Sequence, residues 1–234
     1  MNIAREFSRF ASSYDRVNII QKEVASQLVA QVKPQNYPSI LDLGCGSGEV
    51  YKNVVSDKID FDRFIGVDIA PNMLELHPKE ARVELRNVGF DNPILKEKRY
   101  DLVLSASALQ WSQDLKATLA NIYALSKQFH FAIFTANTFK SLHKVAGISS
   151  PIYSVEYLQE QIDLYFDASY SLNHYKLYFD STYEMLRYIK SSGVSGGQKK
   201  LSYKQIKDLI EHYSLDYLEF EVLFVEAKKR RSTS

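Results

Sequence analysis

The chain has 234 residues, of which 45% are hydrophobic and 24% are charged, the composition of an ordinary globular protein. Its formal net charge is +1, but residues 1–227 carry 25 basic and 28 acidic groups, a charge of −3, because the last seven residues hold four basic groups and no acid. This balance argues against a protein that coats nucleic acid. The single cysteine excludes an intrachain disulfide framework and a multi-cysteine metal site.

The sequence also argues against a membrane or metal-binding role. No stretch approaches the roughly 18 apolar residues of a membrane span, and the first residues lack the charged-then-apolar order of a signal peptide. The five histidines show none of the short paired spacings that hold zinc. We therefore expect a cytoplasmic protein without a metal, a membrane partner or a nucleic-acid partner.

The first 135 residues alternate between helical and strand patterns. Apolar residues at three- and four-residue steps predict a helix over residues 17–32, which two prolines then end. The predicted strands that follow are Ser39–Gly44, Arg63–Asp68, Ala81–Leu85, Tyr100–Ser105 and Phe129–Thr135, and the predicted helices are Glu49–Val55, Pro71–Leu76 and Leu115–Leu125. Strands that alternate with helices indicate a mainly parallel sheet with helices on both faces.

The rest of the chain has a different order of elements. The predicted elements are the helices Val155–Leu164, Thr182–Ser191 and Ser202–Tyr213 and the strands Tyr170–Phe179 and Leu218–Ala227. No repeat, low-complexity tract or linker divides the chain. We predict one domain over residues 1–234, with an N-terminal helical cap at about residues 1–33 and a helical insertion at about residues 181–215.

The most informative motif follows the first predicted strand. Three of the nine glycines stand at Gly44, Gly46 and Gly48, in Leu41-Asp-Leu-Gly-Cys-Gly-Ser-Gly48. Glycines let the backbone turn sharply and approach a ligand closely, and the next helix offers unpaired N–H groups to a negative group. Asp68 ends the second strand, where a carboxylate can accept hydrogen bonds from both ribose hydroxyls of a nucleoside. The spacing differs from the Gly-x-Gly-x-x-Gly of dinucleotide binders, so we predict a different nucleoside cofactor.

Leu41–Gly48 and Gly66-Val-Asp-Ile-Ala70 resemble the class I S-adenosylmethionine (SAM) methyltransferases over about residues 38–135. The resemblance implies a Rossmann-like α/β fold, a mostly parallel seven-stranded sheet with an antiparallel last strand. It implies SAM as cofactor, with the glycines at its methionine end, Asp68 on its ribose and Asn87 at its adenine. Asn87 replaces the family's usual acid, and an amide is the weaker acceptor. The implied cofactor-binding residues are Asp42, Gly44, Cys45, Gly46, Gly48, Asp68, Ile69, Asn87, Val88 and Ser105.

A narrower resemblance extends over nearly the whole chain. Phe7-Ser-Arg-Phe-Ala-Ser-Ser-Tyr-Asp15, Ser105-Ala-Ser-Ala-Leu-Gln-Trp111, Thr138-Phe-Lys-Ser-Leu-His143 and Glu221-Val-Leu-Phe-Val-Glu-Ala227 are similar to the malonyl-acyl carrier protein O-methyltransferases of biotin synthesis. The resemblance implies methylation of the free carboxylate of malonyl-acyl carrier protein. Residues 189–197 follow that family only loosely. After the fifth predicted strand we identify no arginine that would hold the substrate carboxylate.

The candidate substrate residues are positioning groups, because an ionised carboxylate needs no general base to act as nucleophile. Tyr14 is the candidate catalytic residue and substrate contact, although it could equally pack the N-terminal helix. Gln110 and Trp111 follow the fourth strand, where ligands lie in open α/β sheets. Lys140 and His143 follow the fifth and offer positive charge, unless they belong to a solvated helix face. The basic groups that could dock an acidic carrier protein are Lys199, Lys200, Lys204, Lys207 and the tail Lys228–Arg231.

Two other functions stay open. The first is a small-molecule methyltransferase that acts on another free acid, of the trans-aconitate type, or on a ring carbon. A carbon or phenol acceptor usually needs a base near the fifth strand, and the sequence offers no persuasive one there. The second is a SAM-binding fold that serves as a regulatory or scaffolding partner without turnover; the intact glycines and Asp68 argue against it, whereas Asn87 leaves room for it.

Overall fold

The computed structural model describes residues 18–90, 92, 95, 99–126, 128–192 and 201–230. Within these ranges seven strands form one sheet, with helices packed against it. The strands are β1 (Tyr37–Leu43), β2 (Phe61–Val67), β3 (Val83–Arg86), β4 (Leu102–Ala106), β5 (Gln128–Phe134), β6 (Phe166–Tyr178) and β7 (Tyr217–Lys229). The helices are α1 (Ile19–Ala30), α2 (Glu49–Ser56), α3 (Pro71–Leu76), α4 (Leu115–Leu125), α5 (Lys140–Ala146), α6 (Val155–Asp163), α7 (Thr182–Ser192) and α8 (Tyr203–His212), with a 3₁₀ turn at Leu109–Trp111.

The sheet has the strand order β3-β2-β1-β4-β5-β7-β6. All neighbouring strands pair in parallel except β7, which runs antiparallel to both β5 and β6. Ile40 of β1 lies in register with Phe64 of β2 on one side and with Leu102 of β4 on the other. The strand order therefore reverses between β1 and β4, and the crevice at their carboxyl ends is where ligands bind in open α/β sheets.

The core lies on both faces of the sheet. Ile40 and Leu41 are neighbours in β1 and are both fully buried, yet they belong to different clusters because successive side chains of a strand point to opposite faces. Ile40 packs with residues of α1 and α2, whereas Leu41 packs with residues of α4 and α6. Burial on both faces explains why the parallel strands read as continuous apolar runs.

Local signals in the sequence account for several helix ends. The Asp114 side chain accepts a hydrogen bond from the Ala117 N–H at 2.9 Å and so caps α4. Ser202 and Gln205 form a reciprocal capping box at the start of α8. Pro71 occupies the first turn of α3, where its missing N–H leaves no helix hydrogen bond unmade.

The predicted fold class is confirmed, including the antiparallel last strand. The bounds of β6 differ from the prediction: it begins at Phe166 rather than at Tyr170, because it pairs with β7 along its whole length. α5 and the 3₁₀ turn were not predicted as elements. In the predicted insertion, Met185 of α7 and Leu209 of α8 are buried in the same cluster as Phe220 of β7. The division into cap, domain and insertion stays a prediction, and residues 1–17 and 193–200 lie outside the described residues.

No helix in the described part of the chain is both long enough and apolar enough to cross a membrane.

Candidate functional site

The glycine loop, Gly44–Gly48, joins β1 to α2 at the carboxyl edge of the sheet. The N–H groups of Gly44 and Cys45 donate hydrogen bonds to the Val67 carbonyl oxygen at 2.8 and 3.0 Å, so the loop folds over the end of β2. All three glycines of the loop have positive φ angles, of 75°, 51° and 86° in chain order. Residues with a Cβ rarely adopt this region, so the turn requires glycine.

Close packing adds a second constraint at two of these glycines. A Cβ built on Gly44 would lie 2.3 Å from the Ala108 Cβ, and one built on Gly48 would lie 2.8 Å from atoms of His77 and Pro78. Both distances are far below van der Waals contact. The loop is therefore held close to the segment after β4 and to the end of α3, and its backbone lines the crevice.

Asp68 connects the glycine loop to the end of β2. Its Oδ2 accepts a hydrogen bond from the Gly46 N–H at 3.0 Å, and its Oδ1 accepts one from the Ala70 N–H at 2.8 Å. Burial raises the pKa of the Asp68 carboxyl, whereas the backbone N–H donors from Ala70 and Gly46 lower it. The carboxylate is fixed beside the loop and keeps further lone pairs for the hydroxyls of a ribose.

Asp42 supplies a buried acid just before the loop. It is fully buried, and neither carboxylate oxygen has a hydrogen-bond partner among the described residues. Burial, and then the charge of Asp68, raise its pKa well above the ordinary value. An acid without a partner in this position favours a ligand that brings a positive or hydrogen-bond-donating group to the loop.

Cys45 has a packing role in the loop. Its Sγ lies 2.9 Å from the Cβ position that Gly66 of β2 lacks, so the side chain fills the space above that glycine. The thiol is buried, and burial raises its pKa well above the ordinary value, which suppresses the reactive thiolate. The expectation that Cys45 fills the turn rather than reacts agrees with this geometry.

Three further predicted cofactor residues lie beyond the carboxyl ends of β2 and β3. The Asn87 side-chain Nδ2 donates to the Asp68 carbonyl oxygen at 2.9 Å, which leaves its amide oxygen as the acceptor. Ile69 is 40% exposed and follows the carboxylate of Asp68 directly. Val88 is half-buried against the main core cluster. The three residues thus offer one amide oxygen and two apolar side chains at the carboxyl ends of neighbouring strands.

The end of β4 carries two serines with different surroundings. Ser105 is fully buried, and its hydroxyl donates to the Leu43 carbonyl oxygen of β1 at 2.7 Å, so this side chain already ties the two central strands together. Ser107 has a positive φ of 57° and a buried hydroxyl without a partner among the described residues. Strained backbone of this kind clusters at functional sites, and the sequence analysis missed Ser107 because a lone serine gives no pattern.

Gln110 and Trp111 lie in the 3₁₀ turn after β4. The Gln110 side-chain Nε2 donates to the Ser107 carbonyl oxygen at 2.7 Å, which holds the turn against the strained residue. Gln110 is buried and Trp111 is half-buried. The Tyr153 hydroxyl donates to the Ser112 carbonyl oxygen at 3.3 Å, and the Ala136 N–H donates to the Tyr153 carbonyl oxygen at 2.8 Å. Tyr153 therefore bridges the segments that leave β4 and β5.

Lys140 and His143 both lie on α5, directly after β5. Lys140 is exposed at the first residue of the helix, and His143 is half-buried with its ring edge-on to Phe139. Burial lowers the pKa of His143, with the charge of Glu219 opposing that effect, so the ring is neutral at pH 7. Lys140 is therefore the cation of this pair.

Two acids that the sequence analysis did not assign to the site meet the same segment. Glu221 is buried on β7, and its carboxylate accepts hydrogen bonds from the side chains of Thr135 and Asn137. Glu219 accepts one from the Ser141 N–H. Sequence spacing gave no signal for either acid, because more than 75 residues separate the partners.

Tyr14, the candidate catalytic residue, lies outside the described residues, as do Lys199, Lys200 and Arg231. In the part of the chain that the structure describes, no group of three histidine, cysteine or acidic side chains is placed to hold a metal ion.

Residues 41–128 match the family model described as a methyltransferase domain. This span runs from β1 to the first residue of β5 and includes the glycine loop, Asp68 and Asn87. Residues 41–128 therefore belong to a methyltransferase domain. Its cofactor is SAM, which fits a glycine-rich loop beside a buried acid that has no hydrogen-bond partner among the described residues.

Curated relatives of this methyltransferase domain carry more than one name. A malonyl-[acyl-carrier protein] O-methyltransferase from Acetivibrio thermocellus is 33% identical over 145 residues, 58% of this chain and 50% of that protein. An enzyme of the same name from Bacteroides thetaiotaomicron is 23% identical over an alignment 257 positions long, which covers 98% of each chain. The human mitochondrial arginine-hydroxylase NDUFAF5 is 32% identical over 134 residues, 54% of this chain and 38% of that protein. The chain thus spans about half the length of the first curated relatives that it matches.

Solved structures show the same fold. The YcgJ protein from Bacillus subtilis superimposes with a TM-score of 0.66 and 14% sequence identity, covering 90% of this chain and 99% of that one. At this identity the likeness establishes the architecture of the methyltransferase domain and nothing about its substrate.

Proposed function

We propose that this protein transfers the methyl group of SAM to the free carboxylate of a malonyl group carried by acyl carrier protein, an early step of biotin synthesis. The observation that carries the proposal is the match over 98% of both chains to the Bacteroides thetaiotaomicron malonyl-[acyl-carrier protein] O-methyltransferase. That match includes the region after residue 135, whereas the match to the human arginine-hydroxylase covers only 54% of this chain. A match to the cofactor-binding region alone does not identify the methyl acceptor.

The cofactor side of the proposal rests on the crevice at the ends of β1, β2 and β3. The glycine loop holds the methionine end of SAM, and Asp68 holds its ribose hydroxyls. Asp42 is the acid nearest the loop that lacks a partner, and it faces the positive methionine end. Asn87 accepts from the adenine amino group through its amide oxygen, with Ile69 and Val88 against the ring. Cys45 and Ser105 support this wall from inside the sheet.

The chemistry makes few demands on the protein. Bound SAM supplies an electrophilic methyl group, and the malonyl carboxylate is already ionised at neutral pH. The protein must hold the carboxylate oxygen about 3–3.5 Å from the methyl carbon, in line with the departing sulfur. It must also exclude the water that surrounds a carboxylate in solution. No side chain has to remove a proton.

The acceptor side of the proposal consists of Gln110, Trp111, Lys140 and His143, with Tyr14 as the residue that fixes the carboxylate. Lys140 supplies the positive charge, because burial lowers the pKa of His143 and keeps that ring neutral. Trp111 and His143 form walls that exclude water. Lys140 is exposed, so its side chain is available to an anionic acceptor at the carboxyl end of β5.

Charge on the surface supports a carrier protein as partner. Lys204 and Lys207 are exposed on α8, and Lys207 lies 3.6 Å from Glu211 of the same helix. Two cations near the C-terminus already contact other side chains. Lys229 lies over the Tyr123 ring at 4.1 Å, and Arg230 pairs with Asp167 at 3.1 Å. We therefore place the docking of an acidic carrier protein at α8 rather than at the tail.

The decisive experiment incubates the purified protein with methyl-labelled SAM and malonyl-acyl carrier protein and measures the methyl ester. Succinyl-carrier protein tests chain length, and acetyl-carrier protein, which has no free carboxylate, must remain unlabelled. Label on small free acids without label on carrier-bound malonate would favour the trans-aconitate type. Tight SAM binding without methylation of any acceptor would favour a non-catalytic partner protein.

Two substitutions separate the assigned roles. Tyr14→Phe should leave the Kd of SAM unchanged and slow the transfer, and normal transfer would remove Tyr14 from the mechanism. Lys204→Glu combined with Lys207→Glu should raise the KM for malonyl-acyl carrier protein about tenfold and leave the KM for malonyl-CoA unchanged. An equal loss on both substrates would contradict docking at α8.

A further inference from the structure

Two acids at the start of β7, Glu219 and Glu221, meet the chain where it leaves β5; we name them the β7 acid pair. β7 runs antiparallel to β5, and Phe134, the last residue of β5, lies in register with Val222. The residues of β7 that precede Val222 therefore extend past the end of β5. They lie beside the acceptor segment, Thr135–Ala146, which follows β5 and includes α5.

Glu221 forms hydrogen bonds with the polar side chains around the start of the acceptor segment. Its Oε1 accepts hydrogen bonds from the Thr135 hydroxyl and from Asn137 Nδ2, the latter at 2.9 Å. Its Oε2 lies 3.0 Å from His174 Nε2 of β6. The Thr138 hydroxyl donates to the Glu221 carbonyl oxygen at 3.1 Å and accepts from its N–H at 3.2 Å. One residue of β7 thus binds three residues of the segment.

Glu219 fixes the next turn of the same segment. Phe139 precedes α5 with a positive φ of 58°, and its side chain makes no capping hydrogen bond. The Phe139 N–H donates to the Glu219 carbonyl oxygen at 2.9 Å, and the Ser141 N–H donates to the Glu219 carboxylate. Glu219 therefore caps α5 from a strand that is distant in sequence, which a side chain at the helix start would normally do.

The burial of Glu221 needs a reason other than stability. Burial of a carboxylate removes its hydration, which is unfavourable, and hydrogen bonds offset that free-energy cost only when their geometry is good. An amide or an apolar side chain at this position would avoid that cost. A carboxylate with three side-chain partners holds them in one arrangement, because charge-assisted hydrogen bonds are short and directional. The arrangement that it holds is the entry of the acceptor segment.

We propose that the β7 acid pair positions the acceptor segment of this methyltransferase and thereby determines how tightly the acceptor is held. Glu221 and Glu219 are positioning residues: they act through Thr135, Asn137 and the start of α5, which carries Lys140. This inference rests on the proposed function for the identity of the acceptor. Its structural part, the ordering of residues 135–146, stands independently of which acid is methylated.

The test compares Glu221→Gln and Glu219→Ala with Glu226→Gln as the control on the same strand. Glu226 lies on the same strand, and its side chain is 36% exposed and 3.8 Å from Lys228. Glu221→Gln leaves one neutral oxygen where a carboxylate accepted hydrogen bonds from Thr135 and Asn137, and Glu219→Ala removes the acceptor of the Ser141 N–H. Each of these two variants should therefore raise the KM for malonyl-acyl carrier protein about tenfold. The Kd of SAM, measured by calorimetry, should stay within about twofold of wild type, since the glycine loop is not contacted. Glu226→Gln should change neither value.

Hydrogen–deuterium exchange reports on position directly. In Glu221→Gln, amide exchange should quicken in residues 135–146 and stay unchanged in the glycine loop and in β1. If Glu221→Gln does not fold, Asn137→Ala removes one donor from an exposed side chain and should produce the same changes at smaller amplitude. Faster exchange throughout the sheet, or a rise in the Kd of SAM that matches the rise in KM, would overturn the proposal and assign the pair to general stability.

The two proposals can fail separately. If the wild-type protein does not methylate malonyl-acyl carrier protein, the proposed function fails, and the exchange experiment alone decides the inference. If the wild-type protein is active and both variants keep the wild-type KM and exchange pattern, the inference fails while the proposed function stands.

Discussion

The cofactor half of the site, β1 to β4 with the glycine loop, and the acceptor half, β5 to β7 with α5, are built in different ways. In the cofactor half the hydrogen bonds around Asp68 join residues close in sequence: Gly46 and Asp68 are 22 residues apart, and Asp68 and Asn87 are 19 apart. The hydrogen bond from Ser105 to Leu43 is longer-range and spans 62 residues. In the acceptor half Glu221 is 86 residues from Thr135 and 84 from Asn137. The acid of the cofactor half thus has its partners nearby in the sequence, whereas Glu221 meets its partners only through the pairing of distant strands.

The curated relatives match different shares of this chain. Proteins with different printed names, a malonyl-[acyl-carrier protein] O-methyltransferase and an arginine-hydroxylase, match this chain at similar identity over little more than half its length. The match that extends over the whole chain has only 23% identity. We expect the cofactor half to be the part that these proteins share and the acceptor half to determine specificity. Each of the following predictions tests that division.

The largest effect is expected for Gly44→Ala. Its Cβ would lie 2.3 Å from the Ala108 Cβ at a φ of 75°, so the loop must move away from the segment after β4. We expect the Kd of SAM to rise by at least about tenfold. The control is Gly147→Ala, which has a φ of 64° and nothing within 4 Å of the new Cβ. The control should lose only about 1 kcal/mol of unfolding free energy and bind SAM normally. Calorimetry and urea unfolding measure both, and equal SAM affinities would contradict the close approach.

Asp68→Asn should have the next largest effect. The amide keeps the shape of the side chain but loses the charge, and one of its two atoms can no longer accept from Gly46 or Ala70. We expect the Kd of SAM to rise about tenfold. Asp62→Asn, an exposed position on the same strand, is the control and should bind as wild type. If KM for the acceptor changes while the Kd of SAM does not, Asp68 belongs to the acceptor half instead.

Asp42→Asn should stabilise the protein without cofactor while it weakens cofactor binding. Burial raises the pKa of the Asp42 carboxyl above its unfolded value, near 4. Its contribution to stability is therefore full at acid pH and is lost as pH rises through the folded-state pKa. Relative to wild type, the variant should gain on the order of 1–2 kcal/mol at pH 7 and much less at pH 4. Urea unfolding at both pH values measures the difference, and an equal gain at both would refute the assigned cause.

Ser105→Ala should have the smallest effect. The substitution leaves the buried Leu43 carbonyl oxygen without its side-chain donor, which lowers the unfolding free energy by about 1 kcal/mol. Thermal unfolding measures this loss, with the exposed Ser171, changed to Ala, as the control. A simultaneous rise in the Kd of SAM of more than about threefold would confirm the predicted contact between Ser105 and the cofactor.

The resemblance to a known family implied the cofactor SAM. The sequence by itself determined the order of strands and helices along the chain, the glycine loop and Asp68. These features follow from short-range causes: the apolar period of each segment, the left-handed turns that only glycine adopts readily, and the meeting of parallel strand ends at one edge. The bounds of β6 were less well predicted, because they depend on pairing with β7 rather than on the composition of β6.

Only the tertiary structure decided the surroundings of the buried polar groups. The sequence predicts Ser105 as a cofactor contact, and the structure shows that its hydroxyl donates to the Leu43 carbonyl oxygen. In the sequence, Glu221 is one residue of a predicted strand with alternating apolar positions. In the structure β7 lies between β5 and β6, so the Glu221 carboxylate contacts Thr135 and His174. Periodicity indicates which residues face the core, but the partner of a buried charge is set by strand order, and strand order is fixed by the packing of the whole sheet.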